Sequence, residues 1–492
     1  MTETAHKGFS ECAKFIQEQL AEQAYPSLAV AVAKEGHILW EQGFGWANRE
    51  SRIRATEHTA YSLASISKPI TTTALMLLQQ RGRLELDRPI NDYLGEAKLK
   101  APVGDVEGAT LRRVANHTSG LPLHYQFFYA DEPYRRPEMD ETIRRYATLV
   151  RAPGERYQYS NLGYGLLDYV ISRASGHSYA DFMREEIFLP LGMLRSSVDI
   201  PPAIQPYAAA RYGSDGIPYP FYDFDHPGGS AIFCSAHDLI RFGMLHLGTR
   251  LPDQKALLSE QTLEAMQVNT SAPEEKNGYG IGWGVNADNL GYRSISHTGG
   301  MGGVNTLLML IPSEKIVVAA LGNACGSLPF RACEEILASL LPEYDVRLRQ
   351  RQAEREKEQK KGAKTKKPAA FKPGKRLSGE WNGELVTWNG PIPLMLWFKS
   401  SGDVHAQLGN QLRALVNDVK FDDDQLRGVM LGDIETEDAN RRPYRLHLDL
   451  KLRDETLNGA IIAITHMEVD QGGARGRRTG NALSHWAELK RA

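Results

Sequence analysis

A serine and a lysine stand three positions apart in the tetrapeptide Ser-Ile-Ser-Lys at 65–68. Apolar residues recur at helical spacing after it, so the sequence predicts a helix over Ser62–Gln80 with Ser62 as its N-cap. On such a helix Ser65 and Lys68 share one face, and the ammonium group can reach the hydroxyl. A lysine whose pKa burial lowers from about 10.4 can accept the serine proton, so the pair predicts a nucleophilic serine.

Two later stretches place polar side chains next to glycines or in turns. The only Tyr-x-Asn of the chain, Tyr159-Ser160-Asn161, follows the turn-forming pair Pro153-Gly154. His297-Thr298-Gly299-Gly300 closes a predicted strand and leads into a glycine-rich run. Each short motif is weak alone, and their order along the chain is what gives them meaning.

In this order the three motifs resemble those of the β-lactamase-related serine hydrolases, the superfamily of class C β-lactamases and penicillin-binding proteins. Its motifs are Ser-x-x-Lys, Tyr-x-Asn and Lys-Thr-Gly, and His often replaces that Lys in the esterase and peptidase branches. The resemblance covers roughly Ser27 to Leu340. Further signatures in family order support it, namely Asp87-Arg88-Pro89-Ile90, His117-Thr118-Ser119-Gly120-Leu121 and Pro190-Leu191-Gly192-Met193.

The resemblance implies a mechanism through an acyl-enzyme. Ser65 would attack a carbonyl carbon, while Lys68 and Tyr159 would share a proton as a coupled pair. The Asn161 amide would hold Lys68 and the substrate, and the backbone N–H groups of Ser65 and Gly300 would form an oxyanion hole. The implied substrate-binding and oxyanion positions are Asn161, His297, Thr298, Gly299 and Gly300.

The implied reaction is hydrolysis of an ester or amide, by a carboxylesterase or a D-aminopeptidase-like peptidase, without metal or organic cofactor. Alternatives are an acyltransferase, a peptide-cyclising thioesterase of the penicillin-binding-protein type, or a true β-lactamase. His297 in place of Lys weakens the last alternative, because His is mostly neutral near pH 7 and a Lys suits a substrate carboxylate. A non-enzymatic ligand sensor would be expected to lack Ser65, Lys68 or Tyr159, and all three are present.

The order of the predicted helices and strands that position these residues indicates an α/β fold. Strand-like runs at Ser27–Ala33 and His37–Gly45 are followed by a long helical middle, and strands return at Asn305–Ile311 and Ile316–Gly322. This order predicts a sheet that combines both ends of the domain. The resemblance implies the β-lactamase/transpeptidase-like fold, a sheet flanked by helices with a helical subdomain.

Composition divides the chain into three parts. Residues 1–345 form the predicted serine hydrolase domain, and residues 346–376 form a charged, Lys-rich linker. Short alternating runs in 377–492 predict a small all-β domain, which the resemblance makes a lipocalin-like barrel. All motif residues precede Leu341, so we expect the C-terminal domain to narrow the substrate entrance and truncation after Leu341 to leave Ser65 reactive.

The formal net charge of −2 over 492 residues gives no reason to expect nucleic acid or an anionic membrane as a partner. The polar N-terminus predicts no secretory signal, and no later segment is apolar enough to span a bilayer, so we expect a cytoplasmic protein. The four scattered cysteines have no metal-binding spacing. The expected partner is a small-molecule ester or peptide substrate, and a homo-oligomer is left open.

Overall fold

The computed structural model describes residues 3–360, 371–465 and 480–492. The chain divides into two units, each built from more than one stretch of sequence. The first unit comprises Met1–Asp87, Tyr129–Asp131 and Tyr164–Lys364. The second comprises Arg88–Phe128, Glu132–Gly163 and Thr365–Ala492.

Helices and strands alternate through the first unit, and strands dominate the second. The helices are α1 (Glu3–Glu22), α2 (Ser67–Gln80), α3 (Leu111–Ala115), α4 (Met139–Tyr146), α5 (Asn161–Ser175), α6 (Tyr179–Phe182), α7 (Pro227–Ser230), α8 (Ala236–His246), α9 (Glu260–Met266), α10 (Leu328–Leu340) and α11 (Pro342–Lys360). The strands up to residue 322 are β1 (Ser27–Lys34), β2 (His37–Asn48), β3 (Ile53–Arg54), β4 (Tyr61–Ser62), β5 (Phe127–Tyr129), β6 (Ser197–Val198), β7 (Tyr222–Phe224), β8 (Ile232–Cys234), β9 (Asn277–Tyr279), β10 (Gly284–Asn289), β11 (Tyr292–Met301), β12 (Val304–Ile311) and β13 (Ile316–Gly322). The strands after it are β14 (Gly379–Thr387), β15 (Gly390–Phe398), β16 (Val404–Leu408), β17 (Ala414–Leu415), β18 (Asn417–Asp422), β19 (Gln425–Met430), β20 (Tyr444–Arg453), β21 (Thr456–Thr465) and β22 (Ala482–Arg491).

The main sheet of the first unit has the strand order β3-β2-β1-β13-β12-β11-β10-β9. Its centre joins the two ends of the unit, because β1 pairs antiparallel with β13 in a register that sets Val30 opposite Ala320. All seven residues of β13 are buried, as a strand covered on both faces requires. The predicted sheet that combines both ends is therefore confirmed.

Helices cover both faces of this sheet. On one face, Val318 of β13 belongs to a buried cluster that includes Phe9 of α1 and Ile336 of α10. On the other face, α8 approaches so closely that a Cβ atom on Gly243 would lie 2.3 Å from Val317 Cγ1. Because neighbouring strand residues point to opposite faces, this places α8 opposite α1 and α10. The predicted layered α/β architecture is confirmed.

Helix α2 is buried over Ser67–Leu78 although it carries several hydroxyl groups. The hydroxyls of Thr72 and Thr73 each donate to the carbonyl oxygen four residues earlier, at 3.1 and 2.8 Å, and the Thr71 hydroxyl donates to the Gly228 carbonyl at 2.6 Å. These bonds satisfy polar groups that would otherwise be costly to bury. The sequence therefore builds a polar helix that can run through the interior.

The predicted helix start at Ser62 is wrong. Ser62 lies in β4 and pairs with Phe233 of β8, a 3₁₀ turn follows at Ala64–Ile66, and α2 begins at Ser67. The pairing partner lies far along the chain, so the hydrogen bonds that draw Ser62 into a strand leave no local signal. Ser62 therefore does not cap the helix.

The second unit contains an antiparallel sheet with the strand order β17-β16-β15-β14-β22-β21-β20-β19-β18. Its edge strands β17 and β18 are consecutive in the chain, separated by Val416, and the sheet is nearly closed and barrel-like. Along β20, the leucines from Leu446 to Leu452 are buried and their neighbours are partly exposed, the alternation of a one-sided core. The predicted all-β C-terminal region is confirmed.

The first half of the charged run is the helix α11, and the lysines Lys361, Lys364, Lys366 and Lys367 lie outside the described residues. Among the helices of the described part of the chain, none combines the length and apolar character needed to cross a bilayer.

Candidate active site

Ser65 lies in the 3₁₀ turn Ala64–Ile66, immediately before α2, and is half-buried. The turn is held from two sides: Leu63 N–H donates to the Ile232 carbonyl at 2.8 Å, and Thr306 Oγ1 donates to the Leu63 carbonyl at 3.0 Å. Ala64 has a φ of +48°, a conformation that non-glycine residues rarely adopt. Surrounding contacts must therefore impose this turn, as is common beside a reactive group.

The strand that carries the third motif packs against this turn at Gly299. Gly299 pairs with Thr306 in the sheet, and a Cβ atom on residue 299 would lie 2.0 Å from the Leu63 carbonyl oxygen. Only glycine allows this approach. Gly300 differs, because a Cβ atom there would meet no atom of the described residues within 4 Å. Gly299 is needed for packing, whereas Gly300 adjoins open space.

The backbone beside Gly300 is open on one side. Strand β12 pairs with β11 through Met301, whereas β10 pairs with β11 only as far as Ser296. Within residues 3–360, 371–465 and 480–492, no strand therefore pairs with residues 297–301 on the β10 side. An extended substrate can add to such an edge through main-chain hydrogen bonds. Of the motif residues, Thr298 and Gly300 are exposed here.

Lys68 is fully buried one turn into the site. Its Nζ atom donates to Ser65 Oγ at 3.1 Å and to the Gly229 carbonyl at 3.0 Å, and it lies 5.4 Å from the centroid of the Tyr164 ring. Burial disfavours the charged form and holds the pKa of Lys68 well below its usual range. A neutral amine at this distance can accept the Ser65 proton.

The loop that supplies the Gly229 carbonyl is itself fixed. Gly228 N–H donates to Asp168 Oδ2 at 2.6 Å, and Thr71 Oγ1 donates to the Gly228 carbonyl at 2.6 Å. A Cβ atom on Gly228 would lie 2.6 Å from the Tyr164 carbonyl oxygen. Sequence reasoning missed Gly229 and Tyr164. The Gly-Gly pair in a loop-rich stretch was the only local signal for the first.

His297 is buried and uncharged. Its Nδ1–H donates to the Thr298 carbonyl at 2.7 Å, so Nε2 accepts the 2.7 Å hydrogen bond from the Tyr279 hydroxyl. Burial, with Lys68 nearby, lowers the pKa of His297 to about 3. Both ring nitrogens are thus engaged, and the side chain offers no positive charge at neutral pH.

Tyr159 lies in the second unit, where His117 holds the backbone on both sides of it. Gln158 N–H donates to the His117 carbonyl at 2.7 Å, and Ser160 N–H donates to His117 Nδ1 at 3.2 Å. The rings of His117 and Tyr159 lie 4.4 Å apart. His117 thus acts as a structural residue, and Asn161 begins helix α5 two residues after Tyr159.

The structure therefore brings Ser65, Lys68 and the third motif together in the first unit. It places Tyr159 and Asn161 in the second unit, within one short segment. Tyr164, the residue whose ring lies near the Lys68 amine, belongs to the first unit.

A separate cluster among the described residues has side chains that can bind metals. Glu41, Glu57 and His58 each place one such atom within 4.8 Å of the others. His237 Nδ1 lies 2.9 Å from Glu41 Oε2, and this hydrogen bond raises the pKa of His237. His237 pairs with Glu41 and His58 lies 3.7 Å from Glu57, and none of the four residues belongs to the three motifs.

The chain is similar to known proteins in sequence and in fold. A family model described as Beta-lactamase matches residues 12–340. Penicillin-binding protein 4* of Bacillus subtilis (strain 168) is 28% identical over 335 residues, which cover 62% of this chain and 70% of that protein. The octameric penicillin-binding protein homologue from Pyrococcus abyssi matches with a TM-score of 0.59 at 23% identity, over 98% of this chain and 100% of that one. A class C beta-lactamase matches with a TM-score of 0.58 at 21% identity, over 68% of this chain and 96% of that one.

Proposed function

Because this chain belongs to the beta-lactamase family of serine hydrolases, we propose that it hydrolyses an ester or amide through an acyl-enzyme on Ser65. The observation that carries the proposal is the 3.1 Å hydrogen bond between Lys68 Nζ and Ser65 Oγ, with the amine fully buried. Burial keeps that amine available as a proton acceptor, which a serine needs in order to become a nucleophile.

The reaction has two halves. In the first, Ser65 Oγ bonds to the substrate carbonyl carbon while its proton moves to Lys68 Nζ. The C–O or C–N bond of the substrate then breaks, and the alcohol or amine leaves with that proton. In the second half, water attacks the acyl group, a carboxylic acid departs, and Ser65 regains its proton.

Tyr159 is the second member of the proposed proton-transfer pair. A tyrosine with a pKa of about 10 needs a nearby positive charge to act as a base, and Lys68 supplies one once it has accepted the Ser65 proton. The Asn161 amide would hold the lysine and the substrate. Two features support these roles: the Tyr-x-Asn pattern of the family, and the paired hydrogen bonds with which His117 fixes the backbone around Tyr159.

The proposed oxyanion hole consists of the backbone N–H groups of Ser65 and Gly300. Each such donor contributes on the order of 3 kcal/mol of barrier lowering in serine hydrolases. The open space beside Gly300 supports this role, because a substrate carbonyl must lie close to that backbone. Thr298, on the same exposed face of β11, is the proposed polar contact to the substrate.

The neutral His297 favours substrates without a free carboxylate next to the scissile bond. A lysine at this position would supply a fixed cation, whereas His297 has both nitrogens engaged and a pKa of about 3. We therefore place carboxylesterase and aminopeptidase-like activity ahead of true β-lactamase activity.

A substrate panel tests this assignment. It combines p-nitrophenyl esters, D- and L-aminoacyl anilides and nitrocefin, and we expect turnover of esters or amides that is lost in Ser65→Ala. Nitrocefin hydrolysis with kcat/KM of about 10⁵ M⁻¹s⁻¹ or more would contradict the preference and point to a β-lactamase. Transfer of the acyl group to an added amine in preference to water would indicate an acyltransferase or cyclising thioesterase.

The proton-transfer pair has its own test. Lys68→Ala and Tyr159→Phe should each slow acylation by orders of magnitude, and the double variant should be little slower than the worse single variant. Additive losses would contradict a shared proton. Binding of the panel without any turnover or labelling would indicate a ligand sensor.

We also propose that the protein forms a homo-oligomer. A structural neighbour that matches over nearly the whole chain is described as octameric, and this supports the proposal. Mass photometry at nanomolar and micromolar concentrations should show a species larger than one chain. A monomer at every concentration would contradict it.

A further inference from the structure

The segment that precedes Tyr159 is joined to the C-terminal sheet of the second unit by charged hydrogen bonds. The Arg151 side chain is only 2% exposed, and it donates to Gln425 Oε1 at 2.9 Å and to Asp449 Oδ2 at 2.8 Å. Its Nε–H donates to Gln158 Oε1 at 2.7 Å. One buried guanidinium thus links the residue before Tyr159 to strands β19 and β20.

Glu155 provides a second link to β20. Its carboxylate accepts hydrogen bonds from Lys451 Nζ at 2.6 Å and from Arg453 Nη2 at 2.7 Å. Burial alone would raise the pKa of Glu155, but these two bonds outweigh it and lower that pKa to about 2. The Glu155 carboxylate is therefore ionised, and its hydrogen bonds to Lys451 and Arg453 stay charge-assisted, across the pH range in which the protein would work.

The three β20 residues in these links share one face of the strand. Asp449, Lys451 and Arg453 are two residues apart, so their side chains point to the same side. They are partly exposed, whereas the leucines between them are buried in the sheet's own core. The outer face of β20 is thus free to hold another segment, and in the second unit it holds residues 151–158.

We infer that the outer face of β20 positions Tyr159 for proton transfer. The segment is fixed by Arg151 and Glu155 on the sheet side and by the two hydrogen bonds to His117 on the other. Catalytic groups must be held to a fraction of an ångström, and a displacement of about 1 Å can cost 10²-fold in rate. The C-terminal sheet thus supplies three positioning residues, Asp449, Lys451 and Arg453, which do not themselves take part in the reaction.

This inference rests on the proposed function of Tyr159, and its test uses a matched pair of arginines. Arg453 binds Glu155 at 2.7 Å. In the same unit, Arg442 binds the two carboxylate oxygens of Glu132 at 2.7 and 2.8 Å, and both pairs are partly buried. Arg453→Met and Arg442→Met are compared in the full-length protein. Acylation is followed in single turnovers of a p-nitrophenyl ester, together with active-site titration and thermal unfolding.

We expect Arg453→Met, and likewise Asp449→Asn, to slow acylation by about 10- to 100-fold with little change in substrate affinity. The same titratable fraction of active sites should remain, because each site is slower rather than missing. Arg453→Lys, which keeps a cation opposite Glu155, should restore most of the rate. Arg442→Met should stay within about twofold of the unchanged protein.

Wild-type acylation rates in Arg453→Met and Asp449→Asn would overturn the inference. Equal losses in Arg453→Met and Arg442→Met would overturn it as well, because a general loss of stability would then explain both. If Arg453→Met fails to fold, Glu155→Gln takes its place as the variant expected to be slow, and Arg453→Lys remains the variant expected to keep most of the rate. Tyr159→Phe distinguishes failure of the proposed function from failure of this inference. A full acylation rate in Tyr159→Phe would contradict the proposed role of Tyr159. A slow Tyr159→Phe together with normal rates in the Arg453 variants would contradict only the positioning role.

Discussion

The carbonyl oxygen of Leu63 lies only 2.0 Å from the position that a Cβ atom on residue 299 would occupy. The same oxygen accepts the hydroxyl of Thr306, the cross-strand partner of Gly299. The turn that presents Ser65 is therefore seated on the main sheet at one glycine. A neighbouring glycine, Gly300, has no such contact, and this contrast gives a clean pair of substitutions.

Gly299→Ala should displace the Ser65 turn, because no rotation moves a Cβ atom away from a backbone oxygen at that distance. We expect the reactivity of Ser65 towards a fluorophosphonate to fall by at least tenfold and the melting temperature to drop. Gly300→Ala should keep the melting temperature within about 2 °C and affect only substrate turnover. Labelling rates and thermal unfolding of both variants check this, and a Gly299→Ala variant with normal labelling would contradict the seating of the turn.

Lys68 should make the protein less stable as the pH falls. The folded pKa lies well below the unfolded value of about 10.4, so the unfolded chain binds the extra proton between those values. Each pH unit in that window removes about 1.4 kcal/mol from the free energy of unfolding. Lys68→Met should therefore be inactive yet gain stability over the parent as pH is lowered from 10 to 7. Urea unfolding at several pH values measures the difference, and a constant difference would mean that Lys68 is charged in the folded state.

Buried histidines should add to acid sensitivity between pH 6.5 and about 4. Burial lowers the pKa of His246 and His297 to about 3 and that of His485 to about 4. In this pH range these histidines are protonated in the unfolded chain and neutral in the folded chain, so stability falls as the pH falls. Among the described residues, His485 has no hydrogen-bond partner on either nitrogen. His485→Phe should therefore reduce the stability lost between pH 6.5 and 5 by about 1.5 kcal/mol. Substitution of the exposed His177 is the control, and equal losses in both variants would contradict the assignment.

Removal of the C-terminal region should disrupt the second unit, whereas the sequence alone predicts that truncation after Leu341 leaves Ser65 reactive; the two expectations differ and the experiment decides between them. In the second unit, Val150 packs in one cluster with Ala460, Ile462, Ala482 and Trp486. Truncation after Leu341 would expose this cluster and strip Arg151 of its partners. We expect the truncated chain to aggregate or to leave Ser65 unlabelled. A soluble truncated protein with normal labelling would contradict this and support the prediction made from the sequence.

The parts of the fold that sequence predicted are those set by local pattern. The strand at Ile316–Gly322 is found at its predicted bounds, because an unbroken apolar run follows a Pro-Ser turn. The pairing of Ser65 with Lys68 also follows from local spacing. Local pattern cannot predict a contact with a residue far along the chain. The pairing of Ser62 with Phe233 and the link from Arg151 to Asp449, 298 residues away, are of this kind.

The environment of the Lys68 amine was hidden for the same reason. Gly229 reaches it with a backbone carbonyl, which any residue type could supply, and Tyr164 reaches it with a ring that reads in sequence as ordinary helix core. His297 shows a further limit. Its neutral state near pH 7 was expected, but the Tyr279 hydrogen bond that occupies its second nitrogen comes from a separate strand.

Intact-mass labelling with a fluorophosphonate, followed by peptide mapping, tests the central proposal most directly. The full-length protein should take up one phosphonyl group per chain, mapped to Ser65, because Lys68 lies 3.1 Å from its hydroxyl oxygen. Ser65→Ala should take up none while keeping its melting temperature. An adduct on another serine, or labelling that persists in Ser65→Ala, would contradict the assignment of Ser65 as the nucleophile.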